Sequence, residues 1–206
     1  MTSEHTRELA PDSNPVATPS AKTFRVPSCT RAKISALGTF VPPKVLTNAD
    51  LEKMVETNDA WIMERTGIKE RHILEKGLGT SDMAAEAARR CLAARGIEAS
   101  EVEVILVGTV TPDMMFPSTA CLVQDKIGAK GAWGFDVSAG CSGFVFALQA
   151  GVRLVESGAH KKVLVIGADT NSSIVDYTDR TTCIRSDAAT ASTQEGTGSH
   201  HPQDRS

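Results

Sequence analysis

A cysteine lies between glycines at a predicted strand–helix corner. Cys141 stands in "FDVSAGCSGF", residues 135–144, after a strand-like run and directly before an apolar helical pattern. Ligands of open α/β sheets bind beyond the carboxyl ends of strands, and a helix N-terminus favours a thiolate over a thiol. Gly140 and Gly143 permit a tight turn and close approach of a substrate. This pattern indicates acyl transfer to sulfur, with the Cys141 N–H stabilising the oxyanion; a small buried core cysteine is the alternative.

The remaining cysteines do not share this setting. The chain has 5 cysteines, and the other positions are Cys29, Cys91, Cys121 and Cys183. They form no C-x-x-C pair and no cluster with histidines, so we expect neither a metal site nor a disulfide framework. Cys91 and Cys121 fall within helical patterns, which is typical of core thiols.

Charge and hydropathy exclude several classes of protein. The formal net charge is −3, which gives no basic excess for a nucleic-acid partner. No apolar run approaches the roughly 20 residues that cross a bilayer, so no membrane association is expected. The first residues contain Glu4, Glu8 and Asp12 and lack the apolar core of a secretion signal. We therefore expect a cytoplasmic protein.

Strand and helix patterns alternate through the middle of the chain, which predicts an α/β fold. Asn58 is placed to cap a helix that Gly67 ends, and Ser81 to cap one that Gly96 ends; a further helix is predicted over 117–127. Four apolar runs read as strands: "AKISALGTFVP", "VEVILVGTV", "AWGFDVS" and "KVLVIGADT". We expect a mainly parallel sheet with helices on both faces.

Composition divides the chain into three parts. Residues 1–31 are rich in Ser, Thr and Pro and predict a disordered leader. Residues 32–184 carry the alternating pattern and form the ordered part. Residues 185–206, "RSDAATASTQEGTGSHHPQDRS", contain no apolar residue larger than alanine, so we expect a disordered tail.

Several separated segments resemble β-ketoacyl-acyl-carrier-protein synthase III, a family of the thiolase superfamily. The resemblance rests on "DVSAGCSGF" and on residues 47–73, "TNADLEKMVETNDAWIMERTGIKERHI", with further blocks at "TPDMMFPSTACLVQDKIGA" and "VLVIGADTNSSIVDYTDRTTC". It implies a thiolase-like fold of which this chain supplies the N-terminal half. The implied reaction is condensation of an acyl-CoA primer with malonyl on acyl carrier protein, with loss of carbon dioxide. No cofactor is implied, because acyl-CoA is a substrate.

The same resemblance implies roles for individual residues. Cys141 would accept the acyl group, Trp61 would stack on the adenine of coenzyme A, and Arg180 would lie on the other face of that ring. Arg65 would meet the phosphate region with Thr57 nearby. Phe116 would cross a homodimer interface to shape the acyl pocket of the partner. The alternative interpretation is purely structural: Trp61 would be a core residue, Arg65 would form a surface ion pair and Arg180 would be an ordinary loop charge.

The sequence departs from the family pattern after "TTCI". The family continues into a glycine-rich last strand, whereas this chain reads "RSDAATASTQ", so we expect that strand to be missing. The family's second half also supplies a histidine and an asparagine that promote decarboxylation, and neither motif occurs here. Condensation by this chain alone is therefore not expected, and an uncovered sheet edge and helix layer would favour aggregation.

Two other functions fit the same residues. One is another condensing enzyme of the thiolase superfamily, such as a polyketide or hydroxymethylglutaryl-type synthase. The other is a non-catalytic binding or assembly subunit. The sequence does not identify the preferred acyl primer or the oligomeric state.

Overall fold

A computed structural model describes residues 31–180, 182 and 184–197. Its strands are β1 (Arg31–Phe40), β2 (Lys44–Thr47), β3 (Glu70–Ile73), β4 (Val104–Gly108), β5 (Trp133–Val137), β6 (Lys162–Asp169) and β7 (Ala188–Thr197). Its helices are α1 (Asn48–Leu51), α2 (Asp59–Thr66), α3 (Thr80–Arg95), α4 (Thr119–Ile127) and α5 (Gly143–Glu156). Residues 1–30 lie outside the described residues; they are all but the last residue of the predicted leader and include Cys29. Residue 181, Cys183 and residues 198–206 also lie outside them.

The central sheet has five strands in the order β1-β7-β6-β4-β5. β4 pairs in parallel with β5 and β6, while β7 runs antiparallel between β6 and β1. All strands of this sheet except β7 therefore share one direction, which confirms the predicted α/β fold with a mainly parallel sheet. β2 and β3 form a separate antiparallel pair.

Alternating side chains of β4 and β6 supply the core on both faces of the sheet. Ile105 and Ile166 pack in the larger apolar cluster with α3 and α4. Leu106 and Val165 point the other way and pack against α5. All residues of β4 are buried, as a continuous apolar run predicts for a strand covered on two sides. The three-layer arrangement is confirmed.

The structure corrects the prediction for residues 185–206 over the part that it describes. Residues 188–197 form β7 in the interior of the sheet, so the strand expected to be missing is present. Ala189 and Ala191 belong to the cluster that contains α3, and they are 2% and 0% exposed. Small side chains suit a strand that a helix approaches closely, which is why the absence of large apolar residues here did not mean disorder.

The segment before β7 is fixed to the rest of the fold by a buried carboxylate. Asp187 Oδ2 accepts a hydrogen bond from the Leu74 N–H at 2.8 Å, and its Oδ1 accepts from the Ser172 N–H at 2.8 Å. The Asp187 N–H donates to the His72 carbonyl at 2.9 Å. Asp187 thus ties β7 to β3 and to the chain that follows β6.

The helix caps and bounds predicted from the sequence are confirmed in part. Asn58 caps α2, and Gly67 and Gly96 end α2 and α3 in the left-handed conformation, as predicted. Ser81 was a wrong choice of cap: the N-cap of α3 is Gly79, and the Ser81 hydroxyl donates instead to Asp113 Oδ1 at 2.8 Å. α4 begins at Thr119, two residues later than predicted. None of the described helices has the length and the apolar composition that a membrane span requires.

Candidate active site

Cys141 lies at the carboxyl end of β5, on a single 3₁₀ turn formed by Gly140–Ser142 that leads directly into α5. Its thiol is exposed. Gly140 has φ +54°, a left-handed conformation that any other residue would adopt only under strain. The Gly143 N–H donates back to the Gly140 carbonyl and closes the turn. The thiol therefore stands at the helix entrance that the sequence indicated.

Two glycines on neighbouring strands lie directly beneath this turn. They are Gly108, at the end of β4, and its register partner Gly167 on β6. A Cβ on Gly108 would lie 2.5 Å from the Gly143 carbonyl carbon, and a Cβ on Gly167 would lie 2.9 Å from Phe144 Cβ. The first turn of α5 therefore rests directly on the strand backbones. This close approach fixes the height of Cys141 above the sheet.

Asp136, on β5, connects the cysteine-bearing segment to α4. Its two carboxylate oxygens accept the N–H groups of Thr119 and Ala120 at 2.7 and 2.9 Å. A carboxylate at a helix N-terminus satisfies otherwise unpaired donors and is favoured by the helix dipole. The strand that leads to Cys141 and the first turn of α4 are therefore held together.

An open cleft of about 450 Å³ adjoins the thiol. Its lining residues are Gly108, Gly140, Cys141, Phe144, Gly167, Ala168, Asp169, Asn171, Ser186, Ala188 and Thr190. Asp169 Oδ1 accepts from the Val110 N–H at 2.9 Å and from the Thr109 hydroxyl at 3.1 Å, which fixes the loop after β4. Sequence reasoning missed Asp169, although its position at the end of a predicted strand was a usable signal.

A second group of predicted residues meets at α2. Trp61 is half-buried and packs against a small apolar cluster around Leu51 and Ile62. The guanidinium carbons of Arg65 and Arg180 lie 4.6 and 4.9 Å from its ring centroid. The structure thus brings Arg180 to Trp61 and Arg65, which are distant from it in the sequence. The ion pair between Arg65 and Glu64 is long, 3.9 Å, and exposed, so it adds little.

Thr57 and Phe116 occupy different settings. The Thr57 hydroxyl, two residues before α2, is buried and has no hydrogen-bond partner among the described residues. Phe116 lies on the loop between β4 and α4, is 88% exposed and does not line the Cys141 cleft.

Two other described cysteines differ from Cys141. Cys91 is fully buried in α3, and burial raises the pKa of its thiol. Cys121 is half-buried in α4, and its sulfur accepts a hydrogen bond from the Ser118 hydroxyl at 3.2 Å. Within the described ranges, no group of three or more His, Cys, Asp or Glu side chains is placed to hold a metal ion.

Known proteins match this sequence closely. The model of the 3-oxoacyl-[acyl-carrier-protein] synthase III family matches residues 135–203. The β-ketoacyl-[acyl-carrier-protein] synthase III of Koribacter versatilis is 69% identical over 157 residues, which are 76% of this chain and 47% of that protein. The synthase of Solibacter usitatus is 66% identical over 154 residues, 75% of this chain and 46% of that protein. The chain belongs to the synthase III family.

Solved structures agree with this assignment to the synthase III family. The synthase III of Aquifex aeolicus has a TM-score of 0.79 and 45% identity, over 82% of this chain and 55% of that one. The priming β-ketosynthase of the R1128 polyketide pathway has a TM-score of 0.80 and 30% identity, over 85% and 53%. The chain thus spans about half the length of its relatives. The match of the synthase III model through residue 203 also corrects the expectation that residues 185–206 lie outside the family.

Proposed function

We propose that this chain performs the acyl-accepting step of a 3-oxoacyl-acyl-carrier-protein synthase III. The observation that carries the proposal is an exposed thiol held on a turn that lines a cleft, with strand backbones directly beneath it. A nucleophile needs access and a fixed position, and Cys141 has both. Cys91, buried and with a raised pKa, has neither access nor activation.

The step transfers an acyl group between two sulfur atoms. The Cys141 thiolate attacks the thioester carbonyl carbon of acyl-CoA and forms a new carbon–sulfur bond. The carbonyl oxygen becomes an oxyanion, for which the Cys141 N–H is the proposed donor. The bond to the coenzyme A sulfur then breaks, and the released thiolate takes up a proton from solvent. No electron transfer or metal ion is needed.

Trp61, Arg65 and Arg180 form the proposed site for the nucleotide of coenzyme A. The indole offers a flat face to adenine, and the guanidinium of Arg180, which now lies 4.9 Å from the ring centroid, would move outward to cover the other face of the base. Arg65 is exposed on α2, the helix that also carries Trp61, and there it can pair with phosphate oxygens. Thr57, with an unpartnered hydroxyl beside this helix, is assigned to the same site.

Condensation is the proposed second step of the whole enzyme. Malonyl on acyl carrier protein would lose carbon dioxide, and its carbanion would attack the acyl group on Cys141. The two described histidines are engaged elsewhere: His72 Nδ1 lies 2.6 Å from the Pro42 carbonyl, and His160 Nδ1 lies 3.3 Å from Glu103. We therefore assign acylation to the described residues and assign decarboxylation to the family's second half.

A homodimer is the proposed assembly of the whole enzyme, in the cytoplasm. Met115 and Phe116 are 98% and 88% exposed on the loop before α4, and Trp133 and Phe135 are 45% and 41% exposed on β5 at one edge of the sheet. Adjacent exposed apolar side chains of this kind favour a protein interface.

The test follows both steps in one reaction. The chain is incubated with labelled acetyl-CoA and malonyl-acyl carrier protein, and label on Cys141 and in 3-oxoacyl product is measured. We expect label on Cys141 without product, and product when the second half of a relative is added. Coenzyme A binding without any label would instead support a binding or assembly subunit.

A polyketide priming synthase is the second candidate, because the R1128 enzyme has the same fold at 30% identity. The two candidates differ in the carrier protein that receives the acyl group. Comparing condensation with fatty-acid and polyketide carrier proteins, in a complete relative, separates them.

A further inference from the structure

α2 is a short helix that needs external support. It has eight residues, and only Ile62 is buried on it. Isolated helices of this length are not stable in water, so neighbouring groups must fix its position. Trp61 and Arg65 both project from α2, and stacking on a base depends on where the ring plane lies. Whatever holds α2 therefore also sets the proposed nucleotide site.

One buried amide contacts both ends of α2. Asn48, the first residue of α1, is 3% exposed. Its Nδ2 donates to Asp59 Oδ1 at 2.7 Å and to the Ile68 carbonyl at 2.9 Å. Asp59 is the first residue of α2, and Ile68 follows its C-cap Gly67. Both donor positions of a single side-chain amide are thus directed at the two ends of the helix.

A buried arginine fixes the orientation of that amide. Arg71, on β3, is 0% exposed, and its Nη2 donates to Asn48 Oδ1 at 2.8 Å. Its Nη1 donates to the Leu46 carbonyl on β2 at 3.2 Å. Because a guanidinium only donates, it holds the oxygen of Asn48 on its own side and turns the amide nitrogen toward α2. A buried charge is costly unless it is well paired, so this contact resists rearrangement.

We propose that Asn48 and Arg71 are positioning residues for coenzyme A recognition. They link α2 to the β2–β3 pair through hydrogen bonds and so fix the positions of Trp61 and Arg65. The proposal rests on the proposed function, because it takes the α2 site to be the nucleotide site. Neither residue needs to touch the ligand.

The main test variant is Asn48→Asp. An aspartate keeps an acceptor for Arg71, so the buried guanidinium remains paired. It loses the amide donors to Asp59 and Ile68 and places a second carboxylate against Asp59, which drives α2 away. Gln149→Glu, at an exposed position of α5, is the control for added negative charge.

The second variant, Asp59→Ala, removes the acceptor at the start of α2 and is safe for folding because Asp59 is exposed. It also separates positioning from simple electrostatics. Removing a negative charge near a phosphate site should raise affinity if charge alone acts. Positioning predicts the opposite sign, since α2 loses its link to Asn48.

Two probes are compared on the full chain: adenosine 3′,5′-bisphosphate, the nucleotide part of coenzyme A, for binding, and acetyl-pantetheine, which lacks the nucleotide, for acylation of Cys141. We expect Asn48→Asp to weaken bisphosphate binding about tenfold and Asp59→Ala about threefold, as loss of stacking and charge-assisted contacts predicts. Acylation by acetyl-pantetheine should remain within about twofold of the unmodified chain, since the Cys141 turn rests on other elements.

Each result has one meaning. Unchanged bisphosphate binding in both variants, with binding by the unmodified chain, overturns the positioning role and leaves the proposed function intact. Equal loss of bisphosphate binding and of Cys141 acylation also overturns the positioning role, because that result means general unfolding. No bisphosphate binding by the unmodified chain removes the proposed nucleotide site itself, and the positioning role with it.

Discussion

Cys141 lies on a turn that rests on the backbones of β4 and β6, whereas Trp61 lies on a short helix held by side-chain hydrogen bonds. At the thiol end, a Cβ on Gly108 would approach the Gly143 carbonyl carbon to 2.5 Å, so main chain meets main chain. At the nucleotide end, the buried amide of Asn48 links α2 to the rest of the fold.

This difference separates the two tasks of the proposed site. Backbone contacts within a central sheet are stiff, which suits a nucleophile that must stay in one place. A helix held through single side-chain hydrogen bonds depends on individual residues for its position, so one substitution can displace it. Changes at one end should therefore leave the function of the other end largely intact.

Gly108→Ala should have the largest effect. The added methyl group would overlap the backbone of Gly143 and Phe144, so the first turn of α5 must move. We expect a loss of about 1–3 kcal/mol in the free energy of unfolding from overpacking. Acylation of Cys141 should fall about 100-fold, because a displacement on the order of 1 Å costs that much.

Chemical denaturation and acetyl transfer measure these effects. Gly131→Ala is the matched control, since a Cβ there meets nothing within 4 Å. Equal behaviour of the two variants would show that the contact between α5 and β4 does not hold the thiol in place.

Asp136→Asn should have the next largest effect. The amide replaces a charged acceptor that takes two N–H groups from the first turn of α4. We expect a loss of about 1.5–3 kcal/mol in stability, typical of hydrogen bonds to a charged group. Asp125→Asn, exposed in the last turn of α4, should be neutral or slightly stabilising, because a carboxylate there opposes the helix dipole. Thermal unfolding of both variants tests this.

Arg180→Ala acts on the nucleotide end alone. Loss of the guanidinium beside Trp61 should weaken coenzyme A binding about fivefold, as expected for a cation–π contact near the surface. The acylation rate at saturating acetyl-CoA should not change. Arg153→Ala, which removes an equal charge from an exposed position of α5, is the control. Titration calorimetry that finds equal affinity in both variants would remove Arg180 from the site.

The smallest expected effect is a gain in stability at β7. Gln194 is fully buried; its Nε2 donates to the Leu148 carbonyl at 3.3 Å, and its Oε1 has no partner among the described residues. Gln194→Met keeps the volume and removes the unsatisfied oxygen, so we expect about 1 kcal/mol of added stability. Gln149→Met, at an exposed position, should change stability by less than about 0.5 kcal/mol. Loss of stability in Gln194→Met would show that this oxygen is satisfied in solution.

β4 and β7 show how much of the fold the sequence could predict. β4 is a run of Val, Ile and Leu that ends at Gly108, and burial on two faces follows from that composition alone. β7 lies in the same sheet but consists of Ala, Ser, Thr, Gln, Glu and Gly. Its burial depends on tertiary contacts, such as the Glu195 carboxylate that pairs with Arg95 at 2.9 Å. No local pattern contains that information.

The candidate site divides in a similar way. The position of Cys141 at a strand–helix corner was predictable, because glycines, a strand end and a helix start are all local signals. Asn48 and Arg71 were not, because an asparagine near a helix start and an arginine on a short strand are ordinary surface residues in sequence. Their role appears only when β3 brings Arg71 within 2.8 Å of Asn48.

The most direct test of the central claim is the intact mass of the protein after incubation with acetyl-CoA, with Cys141→Ala measured alongside. We predict a mass increase of one acetyl group on the unmodified chain and none on Cys141→Ala. Absence of the increase on the unmodified chain, or an equal increase on both, would contradict the assignment of Cys141 as the acyl-accepting nucleophile.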